Sequence, residues 1–96
     1  IYLCPAVMKL ARRQQPGIEP FFLAHEYGHV ALQTADEAAA DCWAAHELAR
    51  TGGGRRAIAA AVALFGRRGK KDDSARYGSG IARADRIAAC AEQPAG

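Results

Sequence analysis

His25-Glu26-Tyr27-Gly28-His29 sets two imidazoles four residues apart with a carboxylate beside the first, the HExxH arrangement. On an α-helix, residues four apart differ by about 40° in azimuth and about 6 Å in rise, so both rings can aim a nitrogen at one ion. Glu26 points about 100° away from His25, outside the ligand set but near a water on the metal, where it is placed to act as general base. A catalytic zinc takes three protein ligands and keeps a fourth position for water, so a third donor is required. Asp36-Glu37-Ala38-Ala39-Ala40-Asp41 offers Glu37 and Asp41 on one helix face. One of the two can ligate while the other supports a histidine. The expected cofactor is one Zn2+ ion. The plain alternative is a pair of hydrogen-bonded core histidines without metal, and the acidic segment so soon after the histidines outweighs it.

These residues meet only if the chain turns back. Were residues 20 to 50 one straight helix, Glu37 would stand about 18 Å along the axis from His25 and about 12 Å from His29. A reversal is therefore expected near Gln33-Thr34. Thr34-Ala35-Asp36-Glu37 also has the form of a capping box, which competes with ligation because Glu37 cannot readily do both; ligation is weighted above it. Around the reversal, a helix apolar nearly all round follows Pro20 through Phe21 to Leu32, and such a helix is central. A second runs from the box to about Arg50 and is ended by Gly52-Gly53-Gly54. Ile1-Tyr2-Leu3 is β-prone and precedes a helix from about Pro5 to Gln15. A fourth helix fits Arg55 to Phe65 with Gly66 as its stop, residues 66 to 80 read as an exposed polar loop, and a last helix spans about Ile81 to Ala91. Trp43 and Phe65 are the expected packing centre.

The whole chain has 96 residues, half of them hydrophobic and 7% aromatic, with a net charge of +3. That is one small domain, residues 1–96, whose modest core calls for a staple such as a metal or a disulfide. No apolar run approaches the roughly 20 residues that cross a bilayer, which excludes a membrane span. Residues 1–49 carry a net −3 and residues 50–96 a net +6. Arginines on solvated helix faces account for this, and nucleic-acid binding through Arg67 to Lys71 ranks last because no RNA-binding aromatic pattern accompanies them. Cys4, Cys42 and Cys90 permit one disulfide and one free thiol. Cys42 reads as a small buried thiol within a helix, leaving Cys4 and Cys90 as the disulfide candidates, a pairing that favours a periplasmic or secreted location. Beginning at Ile1 with no basic segment and apolar h-region, the sequence reads as a processed chain or a piece of a longer one. Oligomeric state is not encoded in any feature here.

His25-Glu26-Tyr27-Gly28-His29 followed by Glu37-Ala38-Ala39-Ala40-Asp41-Cys42-Trp43-Ala44-Ala45 resembles the gluzincin zinc metallopeptidases, above all their minimal members and the bacterial neutral zinc metallopeptidases. The resemblance covers most of the chain. It implies two histidine ligands and a catalytic glutamate on one helix, His25, His29 and Glu26, and a third ligand, Glu37, on a glutamate helix, with Asp41 as the carboxylate behind the ligands. Ile1-Tyr2-Leu3 is similar to the edge strand that holds extended peptide above the cleft in such enzymes, reduced to a remnant because members carry further strands ahead of it. Asp72-Asp73 through Arg83 and Ile87 resembles a later segment of related proteins, where a histidine often stands at the position of Tyr77.

The expected fold is thus α+β and mostly helical, a minimal zincin-like domain. The expected function is hydrolysis of peptide bonds in a peptide or protein substrate by a glutamate-activated water on zinc. Tyr77 is a candidate hydrogen-bond donor to the oxyanion, or a loop tyrosine that packs its ring. Arg83 is read as solvating the last helix in preference to pairing with a carboxylate, and His46 as exposed or capping. The alternative function is a peptide- or partner-binding domain in which zinc is structural and little is cut.

Overall fold

Alanine richness leads to helix: the computed structural model describes residues 3–68 and 79–93 and forms five α-helices among them. They are α1 (Pro5–Gln14), α2 (Glu19–Leu32), α3 (Glu37–Leu48), α4 (Gly52–Arg68) and α5 (Gly80–Glu92). The expected edge strand is not seen. Leu3 is irregular, Ile1 and Tyr2 lie outside the described residues, and no strand occurs among those described. The α+β expectation is corrected to a mostly helical domain. Pro5 starts α1 directly after Leu3-Cys4, and no strand among the described residues is available for Leu3 to pair with.

α2 and α3 form an antiparallel hairpin. Its turn is built on Gln33, which sits in the left-handed region at φ 50° and ψ 49°. Gln33 N–H donates to Val30 O and Thr34 N–H to His29 O, the paired bonds that close a helix end over its last carbonyls. The next helix is started by Asp36, whose Oδ1 accepts from Ala38 N–H at 2.9 Å and Ala39 N–H at 3.2 Å. Thr34 is therefore not the cap that the box pattern suggested; its Oγ1 accepts instead from Asp36 N–H, inside the turn. This shift of two residues releases Glu37 from capping and makes it the first residue of α3. The two helices cross closely at Gly28, where an added Cβ would stand 3.0 Å from Ala40 O and 3.3 Å from the Trp43 ring.

The glycine triplet opens α4 and does not merely end α3. Thr51 Oγ1 accepts from Gly54 N–H, and Gly54 lies so near Leu48 O that a Cβ there would overlap it at 2.0 Å. α4 also runs past Gly66 to Arg68, since Gly66 has open space around it and no turn to make. It supplies the central wall of the core with Ala57, Ile58, Ala61, Leu64 and Phe65. Phe65 meets Phe21 and Phe22 edge-on at ring separations of 6.1 and 6.4 Å. Ile18 and Ile87 are fully buried beside them. Trp43 is only half-buried and borders a surface groove with Pro20, Leu23, Tyr27 and Leu48, so the packing centre is the phenylalanine cluster.

α5, capped by Ser79 through Ala82 N–H, packs against α3 and α4. A disulfide joins Cys42 on α3 to Cys90 on α5, and Cys4 is an exposed free thiol. The expected Cys4–Cys90 pair is thus corrected. Cys42 falls on the face of α3 that α5 covers, whereas Cys4 stands at the N-terminus of α1, a helix joined to α2 by the Arg12–Glu19 ion pair and to α4 by the bonds of Arg67 to Gln15 Oε1 and Gln14 O. No helix among the described residues is long and apolar enough to cross a membrane.

Candidate metal centre

The hairpin brings together His25 and His29 from α2 and Glu37 from the start of α3. His25 Nε2 lies 3.2 Å from His29 Nε2 and 3.2 Å from Glu37 Oε1, and His29 Nε2 is in direct contact with the same Oε1. A tetrahedral zinc with bonds of about 2.0–2.1 Å separates its donors by about 3.3 Å, so the spacing of the two nitrogens and the nitrogen–carboxylate spacing at His25 are those of ligands around one small cation.

The hydrogen bonds behind the rings decide which nitrogens face inward. His25 Nδ1–H donates to Asp41 Oδ1 at 2.7 Å, and His29 Nδ1–H donates to the Thr34 carbonyl at 2.9 Å. Both partners accept only, so each neutral ring keeps its proton on Nδ1 and presents an Nε2 lone pair. Two such lone pairs and a carboxylate oxygen converge on one point. Without a cation between them they repel, and the cation is either a proton or a metal.

The electrostatics agree with that geometry. The His29 pKa is raised above its ordinary 6.5, first by the Thr34 carbonyl, against the opposing effect of burial, with Glu37 and Glu26 adding to the rise. Asp41 is fully buried, which by itself pushes its pKa up; hydrogen bonds from His25 and Arg83 more than offset this and leave it below the ordinary 3.8. The carboxylate behind His25 is held as an anion.

Glu26 is half-buried and lines an open cleft of about 930 Å³ with His29, Gln33, Thr34, Asp36 and Glu37. It stands beside the histidine cluster without joining it. Tyr77 falls outside the described residues, so the oxyanion assignment remains an expectation. His46 is on the far side of α3, within 3.2 Å of Gln93 Oε1, and takes no part.

One contributor escaped the sequence reading, and a second was there the less favoured of two readings. The Thr34 carbonyl orients His29, and a backbone atom in a turn leaves no mark in residue types. Arg83 is buried and donates to both oxygens of Asp41, from Nε at 2.8 Å and Nη2 at 3.0 Å, which corrects the reading that it solvates α5. Arg83 with Arg86 three residues on, in a basic half of the chain, looks like a solvated face, and only the α3–α5 packing distinguishes Arg83. Compared with protein-family models, curated proteins and solved structures, the chain gives no match.

Proposed function

We propose that this domain is a zinc-dependent metallopeptidase of the minimal gluzincin type. The observation that carries the reading is the facing pair of Nε2 atoms, each turned inward by a hydrogen bond on its Nδ1, with Glu37 Oε1 as the third donor. Two imidazoles and one carboxylate form a donor set that suits zinc, and three protein donors would leave it able to take a water.

When bound, zinc supplies a Lewis acid that brings the pKa of water toward about 7 and polarises a carbonyl. The chain supplies the rest. Glu26, on the cleft wall, receives a proton at its carboxylate and passes it to the leaving amine. Asp41 and the Thr34 carbonyl keep the two rings in the ligating tautomer and orientation. Peptide enters along the open side bordered by Gln33, Thr34 and Asp36, a bare turn with no lid among the described residues. The Cys42–Cys90 disulfide supports a periplasmic or secreted setting, where such bonds persist.

Elemental analysis of the purified chain and of Glu37→Ala, together with peptide-library hydrolysis by wild type and Glu26→Gln, tests this. One zinc per chain in wild type and Glu26→Gln, loss of metal in Glu37→Ala and loss of turnover in Glu26→Gln are expected. Equal turnover by wild type and Glu26→Gln removes the mechanism. Metal without hydrolysis of any peptide shifts the assignment to partner binding around a structural zinc.

A further inference from the structure

Arg83 is one of the few buried charges of the domain, and no step of the proposed reaction uses it. It lies 42 positions beyond Asp41, on a helix that carries no ligand. Its guanidinium grips both Asp41 oxygens, at 2.8 and 3.0 Å, and its Cζ stands 3.8 Å above the centre of the buried Phe65 ring. The same Oδ1 that takes Nη2–H also takes Nδ1–H of His25. The ring below fixes the plane of the guanidinium, the two-point grip fixes the rotation of the carboxylate, and the carboxylate fixes the ring plane of His25.

We infer that Arg83 is a positioning residue for the metal centre: through Asp41 it sets the orientation in which His25 presents Nε2, so that α5 helps to retain the ion without touching it. The inference rests on the metal-binding reading and not on peptide hydrolysis. A lysine here keeps the charge but grips one point, so the fork geometry is what matters.

The test is Co2+ binding by the oxidised full chain, measured by competition with a chelator and by the visible bands of the bound ion. Arg83→Met is expected to weaken Co2+ by about tenfold to a hundredfold and to alter the bands, as loss of a group behind a metal ligand does. Arg83→Lys is expected to weaken it by a smaller factor, about three- to tenfold. Ile87→Val, which removes a methyl from the buried face of α5 but none of the Arg83–Asp41 hydrogen bonds, is expected to lower thermal stability while Co2+ affinity stays within about twofold. In an Asp41→Asn background the Arg83→Met change is expected to cost less than about threefold, because its route is already cut.

Wild-type affinity and bands in Arg83→Met overturn the inference, as does the same result in Arg83→Lys where Arg83→Met does not fold. So does an equal loss of Co2+ in Ile87→Val, which marks Arg83 as packing only. Failure of wild type to take up Co2+ removes the metal centre and this role together. The stated ratios without peptide hydrolysis uphold the role of Arg83 while removing the peptidase.

Discussion

Two titrating side chains give the site opposite responses to pH. His29 has a raised pKa in the metal-free protein, so its protonated form stabilises the fold; that contribution is complete below the unfolded value and fades as pH rises through the folded one. A histidine that ligates a metal must be neutral, so the same proton competes with the ion. Stability of the metal-free chain is expected to fall on going from pH 6 to pH 8 and that of the zinc-loaded chain to rise, which paired thermal melts would reveal; parallel slopes would contradict it. Asp41 has a lowered pKa, so its contribution is present above the unfolded value of 3.8 and is lost as pH falls through the folded one. Asp41→Asn is expected to be less stable at neutral pH and to show a shallower acid transition in circular dichroism. At this scale the sequence was most informative. Helical spacing of His25 and His29 and the carboxylates at 37 and 41 name the cluster, because four-residue offsets on a helix leave little freedom. The pairing of Arg83 with a carboxylate was the less favoured reading, since Arg83 arrives from a distant helix.

The hairpin turns those residue types into a site, and its tolerances are small. Gly28→Ala would press a methyl against Ala40 O and the Trp43 ring, both backed by α3, so the helices must separate by a few tenths of an ångström. A cost of about 1–3 kcal/mol is expected from the strain, with weaker zinc binding in the same variant, readable by denaturant melts and chelator competition. Gly66→Ala, on the exposed side of α4 with open space around it, is expected to stabilise by about 0.5–1 kcal/mol and to leave metal affinity unchanged. The need for a reversal near Gln33-Thr34 followed from distance alone. Its details did not: which oxygen caps α3 depended on the left-handed backbone at Gln33, a conformation that a glutamine does not advertise. The Gly52–Gly54 run was ambiguous for a similar reason, because glycine serves either end of a helix and only the closeness of Leu48 O shows which it serves.

For the molecule as a whole, the covalent tie between α3 and α5 sets the margin of stability. Cys42 and Cys90 are 48 positions apart, and closing a loop of that length is worth about 4 kcal/mol in the chain-entropy model. Reduction is expected to lower the unfolding free energy by up to that amount, measured by urea melts with and without reductant. Pairing preferences of three cysteines were beyond the sequence, because they depend on which helix faces which. The sequence did indicate that a domain with so much alanine and so few large side chains would need such a tie. The brevity of the α2–α3 turn has a further consequence. His25 and Glu37, the outermost donors, are only twelve positions apart, so gathering all three demands little loop closure. On the proposed metal-binding reading, every ligand comes from this one hairpin, so capture of the ion requires no donor from the C-terminal helices.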